Sequence, residues 1–584
     1  MKRILRYSLL VCLAFLTACS SLFQPGNGIT LPFGKAASPT SFPTPTPFLP
    51  EDFASPTAVL AGSTLPPPTN TVVPPTSTAV STSTPIPPPD TLWISPAVPP
   101  ALREAALATG ILPAVDPSSA TVTLDVRPAT SKSPATSMWL YAVVAPFPTV
   151  IDNIGVDDVR RSWVGELAGP FASRPLWMDD ATADAFTALW GAPAPGSVQT
   201  VPTDELVESA WANQPSWGIV PFEQLEPRWK VLSLDGMSPI HTDFNPADYP
   251  LIVPYLLEPA VVTLPSTNRD PSRMTTLIMT GVTAMVRATA SRMENKGITY
   301  PGEAIHDWLV SADITHISNE VSFYDNCPKP NPYQEDLLFC SDPRYIELLD
   351  YLGADVIELT GNHMNDYGTS AFQGTLDIYN QHNMQYYGGG VDLVSAIKPL
   401  TIEHNGNKLA FIGCNPVGPS GDWATNTTPG STPCGNYDWM VMDVARLRSE
   451  GYLPIVTFQY YEYYLLKAPE NQVRDFEKLA DAGAAIISGS QSHFPMNYEF
   501  KNDTIIHYGL GNLFFDQMNY TLPDGSITTG VRRNIIGRYI LYENKVIGAE
   551  VLTTMLEDYS RPRPMTDTER NQLLEDIFAA SGWR

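Results

Sequence analysis

The stretch Asp355–Gly368, DVIELTGNHMNDYG, holds residues whose types and spacing could do chemistry. Its apolar run, Asp355 to Leu359, predicts a buried strand that stops at Gly361-Asn362-His363. A carboxamide and an imidazole at the carboxyl end of a strand suit a metal site with oxygen and nitrogen ligands. The rigid strand aims the ligands and the following loop leaves an open face. Asp366 and Gly368 then close the loop. Alone, an Asn-His pair is more often a polar turn around a satisfied histidine. Four other predicted strands also end in polar residues: at Asn319-Glu320, at Gln459 with Glu462 beyond it, at Gln491 and His493, and at Asn512. Layered α/β sheets place ligand sites at such carboxyl ends.

The elements that must position these residues follow from periodicity. Apolar runs predict strands over Thr276–Arg287, Ala312–Phe323, Lys408–Gly413, Leu453–Glu462, Ala484–His493 and Thr504–Asn512. Helices are expected over Asp342–Leu352 and Val473–Ala482, and strand and helix alternate as in a layered α/β fold. An earlier set of elements runs through Leu92–Ile94, Thr121–Val126, Trp139–Ala145, a helix ending at Trp163, a helix over Thr203–Ala212, and strands at Trp217–Phe222 and Lys230–Gly236. Val261–Ser272 reads as a connector. Tyr460, Tyr461, Tyr463 and Tyr464 are expected to alternate across strand faces. Glu320 could pair with Arg287 rather than bind a ligand, and His316 and His507, inside strands, read as structural.

Composition narrows the partners. The chain has 584 residues and a formal net charge of -26, with 61 acidic against 35 basic residues. Phosphate backbones want a basic surface, so nucleic acid is excluded as a partner. The N-terminus has Lys2, Arg3 and Arg6 before the apolar Leu9–Leu16, too short to span a bilayer as a helix. Leu16-Thr17-Ala18-Cys19 resembles the bacterial lipobox, which implies lipidation at Cys19 and a lipid anchor on the extracytoplasmic side of the cell membrane. Residues 20–91 are rich in Pro, Ser and Thr and predict an extended linker. Four further cysteines follow Cys19. An exported compartment favours disulfides, and sequence-local pairing gives Cys327 with Cys340 and Cys414 with Cys434. A four-thiolate metal site is the rival, disfavoured by the lack of a Cys-x-x-Cys pair.

Two resemblances refine this outline. APFPTVIDNIGVDDVRRSWVGE, WGIVPFEQL and VLSLDGMSP resemble the periplasmic substrate-binding proteins of the phosphate- and molybdate-binding type. GVTAMVR, SNE, GNHMNDYG, FQYYEY, GSQSH and GLGN, in this order, resemble the CapA family of capsule and poly-γ-glutamate synthesis proteins. That second resemblance implies a layered α/β sandwich of the calcineurin-like metallophosphoesterase type. The expected organisation is therefore a signal peptide over 1–19, the linker over 20–91, a smaller α/β domain over 92–260 resembling periplasmic binding proteins, a CapA-like domain over 274–557, and a C-terminal helical tail over 558–584.

Departures from the CapA pattern decide the chemistry. Val282 stands where the family has a metal-binding Asp, Gln459 replaces a His, and Gln491 replaces the first His of a His-Pro-His pair. Glu320, Asn362, His363 and His493 remain as metal ligands, with His363 and Glu462 as proton-moving groups and Gln459, Gln491 and Asn512 as binding residues. The expected cofactor is one divalent cation (Mn, Zn or Mg) or none. Two-metal chemistry needs enough anionic and imidazole ligands to hold both ions, and three of those positions are altered. The reading is a lipid-anchored protein with a degenerate metal site that binds a cell-surface polymer, poly-γ-glutamate or capsule, or its synthesis machinery. The alternative is an active metal-dependent hydrolase or transferase on that polymer.

Overall fold

The structure is a computed structural model that describes residues 90–583. The expected signal peptide, Cys19 and nearly all of the Pro-rich stretch lie outside the described residues. The first lobe is built on one ten-stranded mixed sheet. Its central strand, Ser137–Pro146, pairs antiparallel with Ile252–Glu258, Trp217–Pro221 and Trp229–Leu234. Its continuous apolar sequence fits burial on both faces. Helices Val156–Trp163, Asp180–Trp190 and Leu206–Ala212 bury Trp163, Phe186 and Leu206 in the same core. The Asp180–Trp190 helix starts at Asp179, whose carboxylate accepts from the Thr182 amide at 2.8 Å.

The second lobe is a four-layer sandwich of helices, sheet, sheet and helices. One sheet has eight strands, centred on Met274–Thr283, which pairs parallel with Ile314–Asn319 and antiparallel with Arg533–Tyr542. The other has six, with Asn407–Cys414, Leu453–Gln459, Ile486–Ser490 and Thr504–His507 mutually parallel. Their inner faces meet through Leu277, Met279, Ile314 and Val356 on one side and Leu409, Phe411, Ile455 and Ile486 on the other. Helices Arg287–Lys296, Ile346–Tyr351 and Thr369–Gln381 cover the first sheet. Asp438–Ser449 and Glu470–Asp481 cover the second, burying Met440, Val444 and Leu447 and Phe476, Leu479 and Ala480 at helical spacing. This is the layered α/β sandwich expected from the sequence, preceded by a smaller α/β lobe.

Four expectations change. The strand expected over Thr276–Arg287 ends at Thr283, and Arg287 begins a helix. The strand expected through Glu462 ends at Gln459, so Tyr460 to Tyr464 do not alternate on a sheet; Tyr460 is buried and Tyr464 stacks on Tyr520 at 3.6 Å. The tail is not wholly helical. Arg561–Pro564 adds an edge strand before the helix Asp567–Ala580, which Thr566 and Glu569 cap reciprocally. Arg287 pairs with Asp516 rather than with Glu320.

The lobes share apolar contacts. Phe147 of the first lobe sits edge-on to Tyr498, Phe500, Phe578 and Trp583, with ring centroids 5.2–5.9 Å away.

Candidate functional site

Both sheets of the second lobe direct strand ends into one cleft. Glu320 follows Ile314–Asn319, Asn362 and His363 follow Val356–Glu358, Gln459 ends Leu453–Gln459, Gln491 and His493 follow Ile486–Ser490, and Asn512 starts a strand beside Val282. Two close backbone approaches fix these loops. A Cβ on Gly361 would lie 2.3 Å from the Glu320 Cα, and one on Gly281 would lie 2.0 Å from the Gly511 carbonyl oxygen. Glycine is required at both positions.

Gln459 holds the centre of the cleft. Its Nε2 donates to Glu320 Oε2 at 2.9 Å, to Asn362 Oδ1 at 3.0 Å and to Gln491 Oε1. Ser490 Oγ donates to Gln459 Oε1 at 2.7 Å, which fixes the amide's orientation. One uncharged donor thus links oxygens from three loops. Around it runs a closed ring. Gln491 Nε2 donates to Glu462 Oε1 at 3.2 Å, and Glu462 Oε1 lies 3.9 Å from His493 Nε2. His493 Nδ1 is 2.7 Å from Asn512 Oδ1, Asn512 donates to Gln517 at 3.3 Å, Gln517 donates to the Tyr464 hydroxyl at 2.9 Å, and Tyr464 donates back to Glu462 at 3.0 Å. Gln491 and His493 adopt left-handed φ of 71° and 48°, uncommon for such residues. The cleft is deep: Glu320, Gln459, Gln491, His493 and Asn512 are buried, while Glu462 is 47% exposed at its mouth.

Burial raises Glu320 above the usual carboxylate range, partly offset by His363 and His493. Burial opposes the charged form of His363, yet the Asp366 hydrogen bond at 2.7 Å and the Glu320 charge prevail and hold it above its ordinary value. Asp422 lies behind this pair. Its Oδ1 accepts from the Asn365 amide at 2.7 Å, its Oδ2 is buried without a partner, and burial pushes it up to about 6. The rings of Phe339 and Phe515 pack on His363 and His493 at 4.6 Å each. The Arg287 guanidinium lies over both phenyl rings.

Among the described residues no three His, Cys, Asp or Glu side chains are grouped closely enough to hold an ion. The expected ligands Glu320, Asn362, His363 and His493 share one cleft; Nδ1 of each histidine is held by Asp366 or Asn512, which orients the ring and leaves Nε2 toward the cleft's other groups, while Val282 brings no carboxylate. His316 and His507 lie away from this set. His316 bonds the Tyr387 hydroxyl at 2.8 Å and His507 stacks on Tyr498, and burial lowers both to about 3.

Asp422, Gln517, Ser490, Phe339 and Phe515 complete the cleft and were not singled out from sequence. Only Asp366, three residues after His363, carried a local signal. Cys327–Cys340 and Cys414–Cys434 form disulfides as expected.

Polar strand ends from both sheets of a layered α/β sandwich thus meet in one cleft. Residues 276–517 match the family described as bacterial capsule synthesis protein PGA_cap. The capsule biosynthesis protein CapA of Bacillus anthracis is 24% identical over 332 residues, 55% of this chain and 77% of that protein. The PGA biosynthesis protein CapA of Bacillus subtilis (strain 168) is 27% identical over 196 residues, 33% of this chain and 51% of that protein. The NAD nucleotidase of Haemophilus influenzae shares 10% identity at a TM-score of 0.27, over 52% of this chain and 56% of that one, a likeness too slight to build on.

Proposed function

We propose that this protein is a binding component for a cell-surface polymer, capsule or poly-γ-glutamate, held at the extracytoplasmic face of the membrane by a lipid on Cys19. One observation carries the reading: the Gln459 amide bonds Glu320, Asn362 and Gln491 at the centre of the cleft. An amide cross-link gives the loops order without a divalent cation, so the cleft works as a shaped surface. Glu462 and the exposed Tyr461 lie at its mouth, where aromatic and polar groups suit an extended polar chain. The names of the two Bacillus relatives support the assignment to capsule or PGA synthesis. Among the described residues no helix is long and apolar enough to cross a membrane.

A second reading, a metal-dependent hydrolase, is favoured by the His363–Asp366 pair, a proton-transfer arrangement. Metal analysis of the purified protein beside His363→Ala, with polymer binding measured on both, separates the two. The binding reading expects no stoichiometric metal in either protein and retained binding of poly-γ-glutamate or capsule polymer. Stoichiometric metal lost in His363→Ala would establish the hydrolase reading instead.

A further inference from the structure

A cavity of about 290 Å³ lies between the two lobes, lined by none of the cleft residues named above. Lys230 and His241 of the first lobe face Arg538, Glu550 and Arg570 of the second across it, with Asp152 at its edge. These side chains are paired, but unevenly. Asp152 is shared by Lys230 and Arg570, and Glu550 is shared by His241 and Arg538. Three basic side chains and one histidine therefore divide two carboxylates, in a chain that carries a net charge of -26.

Two further observations show the imbalance. Arg538 Nε is buried without a hydrogen-bond partner, although the same guanidinium reaches Glu550 at 3.1 Å and Ser311 at 3.3 Å. A buried donor left unmade is costly, and a ligand oxygen would satisfy it. Burial, with Arg570 adding to it, lowers Lys230 to about 8 even though Asp152 works the other way. The cations lining this cavity thus outnumber the carboxylates that pair with them.

We infer that this cavity between the lobes is a binding site for a small oxyanion, with Arg538 Nε as its free donor and Lys230, His241 and Arg570 supplying the field. The planar guanidinium suits a carboxylate or phosphate oxygen. Because the residues come from both lobes, an anion bound here would fasten one lobe to the other.

Calorimetric titration of the purified full-length protein at constant ionic strength tests this, using inorganic phosphate in one arm and succinate in another, with chloride as the reference. The inference expects saturable binding of at least one oxyanion, weakened tenfold or more in Arg538→Gln and again in Lys230→Met. The arm that binds names the source, phosphate or dicarboxylate. Lys230→Met is read alone if Arg538→Gln does not fold. No saturable binding in either arm, or binding that neither substitution weakens, would overturn the inference and leave the cluster as a latch between lobes.

Discussion

The Gln459 side-chain nitrogen donates to a Glu320 carboxylate oxygen at 2.9 Å, across a boundary between two sheets, and both residues are buried. Removing that donor strands a buried carboxylate. Gln459→Leu is expected to cost about 3 kcal/mol, the order found when a buried charge loses its partner. Glu320→Gln keeps a neutral acceptor and should cost less. Urea unfolding of both variants checks the order, and a Gln459→Leu protein as stable as wild type would show that the amide does not hold the cleft.

Gly361 sits one residue before Asn362 and against Glu320. A Cβ there would lie 2.3 Å from backbone, not from a yielding side-chain tip. Gly361→Ala must push the Asn362–His363 loop away from Glu320. An overpacking cost of about 1–3 kcal/mol is expected, together with weakened polymer binding. Thermal unfolding and binding measured on the same preparation check it; unchanged binding at lowered stability would separate loop position from function.

Much of this cleft was legible in the sequence because strand ends are marked by abrupt changes from apolar to polar residues. Asn362, His363, Gln459, Gln491 and His493 all sit at such changes. What joins them was less visible. Asp422 accepts from the Asn365 amide, two residues past His363, from a loop after the Asn407–Cys414 strand, and no local spacing signals it. Arg287 was expected on a strand and near Glu320, but the chain turns at Thr283 and Asp516, more than two hundred residues on, claims the guanidinium. The long hairpin Arg533–Tyr542 to Lys545–Glu557 was not among the expected elements, although Glu543-Asn544 makes its two-residue turn with φ of 50° and 59°. Here an ordinary strand pattern lacked the glycine that usually marks such a turn.

The two disulfides close loops of similar size, with sequence separations of 13 and 20. Chain entropy gives each about 3 kcal/mol, so loop length does not distinguish them. Burial does. Cys414 and Cys434 are 0% and 1% exposed, whereas Cys327 lies on a partly exposed loop. Mild reductant followed by alkylation of the folded protein should label Cys327 and Cys340 first. Mass spectrometry identifies the sites, and equal labelling of both pairs would contradict the burial argument.

His241 Nε2 lies 2.9 Å from Glu550 Oε1, joining the two lobes. Burial disfavours the charged ring, but the Glu550 hydrogen bond and charge outweigh it and raise His241 above its ordinary value. Burial likewise opposes ionised Glu550, yet His241 and Arg538 lower it to about 2. The signs follow from linkage. A histidine raised on folding contributes stability that is full below about 6.5, its unfolded value, and is lost as pH rises through the folded one. Glu550 contributes stability that is present above its unfolded value of 4.5 and lost as pH falls toward 2. The pair is therefore at full strength between these limits, roughly pH 4.5 to 6.5. Wild type should exceed His241→Gln by on the order of 1 kcal/mol in that window, the upper range for partly exposed pairs. The gap should narrow above it, because the neutral ring keeps the hydrogen bond and loses the charge. Denaturant midpoints of both proteins across pH 5 to 9 check this, and a gap that widens with pH would mean the histidine is held neutral at the lobe junction.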